Sequence, residues 1–307
     1  MRRKLLLLPL NKTLSPHLKA VLQAFFVTLL WSSSWVLIKI GLADIPALTF
    51  AGLRYTLAFL ALTPFLLRRG ALEAVRKLSQ RDWTLLVVLG LLFYTLTQGA
   101  QFVGLFYLPA VTVSLLLNFT AVLITILGIF FLAEVPNLRQ WIGVILAALG
   151  GILYFYPVTL ASAQLIGLIV VIIAVLANSG SAVLGRYVNR RGNINALTVT
   201  VVSMGIGSII LLISGLYFQG LSTLSLASWG IIVWLAIVNT AAAFTLWNHT
   251  LRTLSAMESG VINNTMLIQI AILAWVFLGE RLNGQEVVGL IIAAVGTLMV
   301  QVEQRNS

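Results

Sequence analysis

The chain has 307 residues, 60% of them hydrophobic and 9% charged, with a mean hydropathy of +1.04; a soluble domain carries roughly 25% charged residues. So few charges cannot cover a water-facing surface, which excludes a soluble globular protein and leaves the lipid bilayer as solvent. The lack of cysteine excludes disulfides and thiolate chemistry, and a net charge of +11 fits basic cytoplasmic loops better than nucleic-acid binding.

In chain order, residues 1–19 read as a basic cytoplasmic tail. Its apolar run is short, Pro9, Asn11 and Lys12 interrupt it, and no small-residue cleavage site follows, so it is not read as a signal peptide. Crossing about 30 Å of hydrocarbon takes about 20 apolar residues. Punctuation by charge, Pro and Gly then yields ten spans, at 20–40, 46–67, 83–106, 110–132, 138–157, 164–187, 194–218, 228–251, 256–279 and 284–302. The expected class is an all-α integral membrane protein. The first five spans make one unit (20–157), an external linker follows (158–163), the second five make another (164–302), and a short tail closes the chain (303–307).

With the N-terminus inside, basic residues collect on one face. The tail and the loop after the second span hold five each, and Arg139, Arg186, Arg190, Arg191, Arg252 and Arg305 join them, while Lys39 and Arg281 fall at outer ends. The positive-inside rule therefore sets both termini in the cytoplasm.

The text of the fourth and fifth spans recurs 146 positions later, "FFLAEVPNLRQWIGVILAALGG" returning as "VFLGERLNGQEVVGLIIAAVGT". At that offset Asn118 meets Asn264, Glu134 meets Glu280, Gly143 meets Gly289 and Gly150 meets Gly296; an offset of 147 pairs Ser34 with Ser181 and Lys39 with Arg186. The chain is thus a duplication of a five-helix unit. Five being odd, the second copy must cross the membrane in the opposite sense, as in the inverted repeats of secondary transporters. Glu134 and Glu280 each close a span before a tight turn. A carboxylate at a helix C-terminus is disfavoured by the dipole, so each is expected to be held by the first amides of the next helix or by Arg139 or Arg281. Direct contact with substrate or ion is the alternative. Asn137-x-x-Gln140 and Asn283-x-x-Glu286 read as capping boxes, as does Ser255-x-x-Glu258. Gly143, Ala147, Gly150 and Gly289, Ala293, Gly296 form small-residue stripes that let helices approach closely.

The doubled pattern Leu-Ala/Gly-Glu, nine residues, Gly, six residues, Gly resembles the EamA domain of the drug/metabolite transporter superfamily. The opening "WSSSWVLIKIGL…P…LR" is similar to that domain's start at Trp31, Lys39, Pro46 and Arg54. The resemblance covers about residues 20–302. It implies ten transmembrane helices, a bacterial-type inner-membrane location and export of small metabolites, often amino acids. Thr120 and Met266 stand where family members often carry proline, and Asn178 stands where the sixth span usually has Trp.

Polar side chains in hydrocarbon either pair or line a wet cavity. Near mid-depth lie Trp31, Ser34 and Trp35 on one face of the first span, Tyr94, Gln98 and Gln101 spaced for one face of the third, Asn118 in the fourth, Asn178 and Ser181 in the sixth, Asn239 in the eighth, and Asn263, Asn264 and Gln269 in the ninth. Spans five and ten carry almost none. Each amide alone is readily interhelical glue; the set argues for a chamber holding a small-molecule substrate. Arg54 is a fixed charge inside a span, either drawing a carboxylate or capping a neighbouring helix. Trp247 reads as an interfacial belt residue. All eight acidic residues fall at span ends, in loops or in the tail, so no proton-coupling carboxylate is expected in the interior, and no cofactor or metal is called for. Neutral or zwitterionic metabolites fit best; a proton-driven drug exporter and a nucleotide-sugar carrier are the rivals.

Overall fold

The computed structural model describes residues 15–68, 75–132, 135–157, 162–191, 194–221, 223–250, 253–254 and 256–301; Glu134 and Ser255 lie outside them. The described secondary structure is helical. In chain order it comprises α1 (Pro16–Gly41), α2 (Ala47–Arg68), α3 (Gln80–Tyr107), α4 (Ala110–Asn118, continued as Thr120–Leu132), α5 (Leu138–Phe155), α6 (Ser162–Arg190), α7 (Ala196–Phe218), α8 (Leu226–Ala236, continued through Thr250), α9 (Ala256–Leu278) and α10 (Gly284–Gln301). Among the described residues nine helices are long and apolar enough to cross a membrane, and Gly284–Val300 forms a shorter apolar helix.

Local chemistry explains the boundaries. α1 begins before the expected residue 20 because Ser15 accepts from the Leu18 N–H and Pro16, needing no donor, opens the helix. α3 likewise begins before the expected 83, since Ser79 and Asp82 form a reciprocal capping box. The two boxes expected at α5 and α10 are present. Asn137 Oδ1 accepts from the Gln140 N–H (3.0 Å) while Gln140 Oε1 accepts from the Asn137 N–H (2.9 Å). Asn283 and Glu286 do the same at 2.8 and 2.7 Å.

The two copies run in opposite directions. Along α2 and α7, Leu48 and Thr49 lie against Gly215 while Phe59 lies against Gly205, so residue numbers rise on one helix as they fall on the other. α5 and α10 behave alike: Gly143 faces Gly296, and Gly150 faces Ala293 and Gly289. Contacts of α1 and α6 are exchanged between the repeats. α1 meets α9 as α6 meets α4, and α1 meets α8 as α6 meets α3. An in-plane twofold relation between inverted five-helix repeats generates this pattern.

The small-residue stripes sit at the α5–α10 seam. A Cβ added at Gly150 or Gly296 would stand 2.3 Å from the backbone N of Ala293 or Ala147, so the two backbones touch. Gly279, at φ +69°, ends α9 in the left-handed conformation that glycine adopts without steric cost and turns Glu280 sideways. Its carboxylate then accepts the Ala110 N–H at 2.7 Å and the Val111 N–H at 3.1 Å. These are first amides of α4, not of the next helix α10 as expected. Pro109 precedes α4 and caps it with no side chain, so Glu280 supplies that cap from the other repeat. Lys39 is likewise a terminus partner, its Nζ donating to the carbonyls of Leu105 and, at 2.8 Å, Leu108 at the end of α3, where a cation complements the dipole.

This packing is open to two stability tests. Gly150→Val and Gly296→Val should each lower the unfolding free energy of detergent-purified protein by at least about 1–3 kcal/mol through overpacking; unchanged denaturation midpoints would contradict the backbone contact. Glu280→Ala should remove two charge-assisted bonds, worth about 1.5–3 kcal/mol each, with Glu280→Gln intermediate in the same assay.

Candidate functional site

A cavity of about 370 Å³ opens where the repeats meet, lined from seven helices. α1 contributes Trp31, Ser34 and Trp35, α2 Arg54 and Tyr55, and α3 Phe93, Thr97, Gln98 and Gln101. α4 contributes Ser114, Leu117 and Asn118, α6 Asn178, and α8 Phe244. α9 contributes Asn263, Asn264, Met266, Leu267 and Ile270. Among the described residues none of α5, α7 or α10 lines it.

Nine of the twelve sequence-predicted candidates are on this wall: Trp31, Ser34, Trp35, Arg54, Gln98, Gln101, Asn118, Asn178 and Asn264. Tyr94, Ser181 and Asn239 are not. Tyr94 was expected on the face of Gln98 and Gln101, but Leu91–Thr97 forms a π-helical turn. Its wider winding rotates the residues before Gln98 out of line with those after it. The Tyr94 ring is buried between Tyr55 (5.7 Å) and Phe93 (4.9 Å). α8 carries a second π-turn at Ile237–Ala242, beginning 146 positions after the first. In each, a threonine hydroxyl donates to the carbonyl five residues back, Thr97 to Leu92 and Thr240 to Leu235, both at 2.8 Å. This is the spacing of the π-helix.

Asn239 lies in the second π-turn and is fully buried. Its Nδ2 donates to the Leu30 carbonyl (2.6 Å), Ser34 Oγ (2.7 Å) and Ser33 Oγ (3.3 Å), and its backbone carbonyl accepts from Trp31 Nε1 at 3.1 Å. It joins α8 to α1. Ser181 Oγ donates within its own helix, to the Asn178 carbonyl. Gln269 similarly ties α9 to α1, accepting from Ser32 and donating to Thr28. Trp247, expected at the interface, is half-buried and packs against Trp31 with ring centres 5.2 Å apart and planes tilted by 49°; Phe244 packs against Trp31 at 5.3 Å and 55°.

The lining polar groups divide by whether the protein already uses them. Gln98 Oε1 accepts from Tyr55 Oη (2.7 Å), Asn178 Nδ2 donates to Thr120 Oγ1 (3.3 Å), and Ser114 Oγ donates to the Val111 carbonyl. Asn264 donates to the Ala294 carbonyl (2.9 Å) and accepts from Thr297 Oγ1 (3.3 Å). Gln101, Asn118, Asn263 and the Trp35 indole have no hydrogen-bond partner among the described residues, yet they face the cavity rather than being sealed from it. Asn118 and Asn264 are repeat equivalents with opposite fates. Opposite Thr297 the first repeat has Gly151, and the Phe119 ring packs where a side chain there would stand. α4 also breaks at Phe119, whose N–H reaches back only to Leu116 (3.1 Å). The helix is therefore interrupted there without proline.

Arg54 is 6% exposed. Nε donates to Thr240 Oγ1 at 3.2 Å, and the guanidinium carbon lies 5.1 Å from the Tyr55 ring centre. Tyr55, Thr97, Ser114 and Phe244 had no signal in the sequence that marked them as lining. They lie on helices already expected at the chamber, and small hydroxyls and aromatics are common throughout such spans.

Two inverted helical repeats enclosing a polar chamber define a membrane-carrier architecture. The EamA-like transporter family model matches residues 18–156 and 165–302, so the chain belongs to the EamA-like transporter family. It is 33% identical over 215 residues to the uncharacterized transporter YvbV of Bacillus subtilis, covering 68% of this chain and 67% of that one. It is 27% identical over 294 residues to a probable amino-acid metabolite efflux pump of Salmonella typhimurium, covering 89% of this chain and 91% of that one. A solved crystal structure matches with TM-score 0.65 and 17% identity, over 92% of this chain and 97% of its own; that likeness concerns the fold alone.

The division of polar groups is testable. Gln101→Ala and Asn118→Ala should reduce substrate flux at least tenfold while unfolding free energies stay within about 0.5 kcal/mol of the parent, as for changes that break no internal contact. Asn239→Ala should instead destabilise by about 1–3 kcal/mol. The opposite pattern in paired flux and denaturation measurements would reverse the assignment.

Proposed function

We propose that this protein is a secondary carrier exporting small metabolites, amino acids and related neutral or zwitterionic compounds foremost, across the inner (plasma) membrane. Transport proceeds by alternating access between the two inverted repeats, and the chain carries out no catalysis. The observation behind this reading is the chamber at the repeat interface, where open amides stand beside aromatic and aliphatic walls. A compound with a polar head and an apolar side group suits that mixture. Similarity to the Salmonella efflux pump supports the amino-acid class, and the bias of basic residues supports cytoplasmic termini.

No Asp, Glu or His is among the described residues lining the chamber. Proton-coupled carriers place a titratable group in the membrane interior, so transport here is read as downhill or by exchange. The same lining disfavours the rivals. A cationic-drug exporter calls for a buried carboxylate, and a nucleotide-sugar carrier calls for several cations to hold phosphates; the chamber offers Arg54.

Proteoliposomes loaded with single amino acids test both parts. The expected result is saturable efflux down the gradient, unchanged by a protonophore and by an imposed pH difference. Flux that collapses with protonophore would overturn the coupling, and absence of release across the whole panel would overturn the substrate class.

A further inference from the structure

Among the described residues the chamber holds one fixed charge, Arg54, and no counter-ion for it. Arg54 is buried, and arginine stays protonated at any pH a cell meets. Buried charges are normally paired, because removing an ion from water is costly. Among the described residues no carboxylate lines the chamber. The guanidinium spends Nε on Thr240 Oγ1, and its two terminal nitrogens make no hydrogen bond to the described residues, although they are not sealed from the cavity.

The glycine stripes and the Asn caps of α5 and α10 recur in both repeats. Arg54 does not recur: at the offset of 147 its counterpart is Val201, a buried apolar residue of α7. Its position is nevertheless well determined. Thr240 lies in the π-turn of α8, where it also donates to Leu235, and the Tyr55 ring beside it is held by Gln98. A guanidinium fixed through Nε presents its terminal N–H groups as a fork, the geometry that takes a carboxylate in two parallel bonds. Open amides of Gln101 and Asn118 belong to the same cavity.

We infer that Arg54 is the substrate-carboxylate site of this carrier, so that a transported compound must bear a carboxylate and the matching amide or amine is rejected. The inference rests on the chamber being the transport site and narrows the proposed substrate class: zwitterionic and anionic acids enter it, and uncharged or cationic relatives do not. The carboxylate supplies the missing counter-ion, and the empty carrier keeps its cation in a wet cavity.

The test uses thermal unfolding of the purified full-length protein, with Arg54→Gln and Arg54→Lys alongside. One arm titrates isobutyrate, isobutyramide (the same shape without charge) and sodium chloride. The second titrates amino acids against their carboxamides. Isobutyrate should stabilise the parent while isobutyramide and chloride do not, and an amino acid should bind at least tenfold more tightly than its carboxamide. Arg54→Gln should lose at least tenfold in apparent affinity for the acids, and Arg54→Lys should recover part of it. Equal response to acid and amide, equal response to chloride and isobutyrate, or acid affinity in Arg54→Gln within twofold of the parent would each overturn the site. If Arg54→Gln does not fold, the acid-against-amide comparison on the parent decides. Stabilisation by isobutyrate but by no amino acid would keep the carboxylate site and remove the amino-acid reading. Amino acids bound alike by parent and Arg54→Gln would do the reverse.

Discussion

A helix surrounded by hydrocarbon has no water to satisfy its polar side chains, so each one finds a partner inside the protein or faces a cavity. That constraint organises this molecule. Asn239, Gln269 and Asn264 are spent on neighbouring helices: the first two tie α8 and α9 to α1, and the third ties α9 to α10. Gln101, Asn118 and Asn263 are spent on nothing described and border the chamber. The chamber is thus the place where the internal pairing of polar groups stops. The seam between α5 and α10, which contributes no lining residue, is the opposite extreme, with backbones in contact across glycine and alanine.

The constraint also shows why some features were legible before the structure and others were not. Composition, the 146-residue echo and the odd number of spans per unit carry the inverted architecture, because each is a property of the chain alone. The Asn137 and Asn283 caps were legible for the same reason, since both partners lie within four residues. The destination of Glu280 was not. Its oxygens serve amides 170 and 169 positions away, and nothing local distinguishes those from the amides of α10. Tyr94 was misplaced because ordinary helical spacing was applied across a π-turn, and a lone threonine five residues from a carbonyl is too common to announce one. Asn118 and Asn264 are identical letters in aligned positions. Their difference comes from Thr297 against Gly151 on a different helix, which only packing reveals.

The symmetry of the scaffold does not extend to the lining. Trp31, Phe244 and Trp247 make a cluster of three tilted rings where α1 crosses α8. Their repeat counterparts, where α6 crosses α3, are Asn178 at an offset of 147 and Gln98 and Gln101 at 146. Those three carry amides, and all three line the chamber. One crossing therefore presents aromatic surface to the chamber and is anchored by the bond from Trp31 to the Asn239 carbonyl, while its twin presents amides.

Duplication supplies two such crossings, and the paired π-turns show how far the equivalence holds, since they begin 146 positions apart and both sit beside a crossing. Divergence then shows on side chains that line the chamber. Both crossings keep their helix–helix contacts, with aromatic rings at one and amides at the other. Arg54 against Val201 is the same kind of change in α2 and α7, whose antiparallel contact includes Gly52, Gly205 and Gly215. A twofold scaffold can thus keep two equivalent halves for rearrangement while presenting a single, polarised site: charge from one repeat, amides chiefly from one side, and aromatic surface from the other.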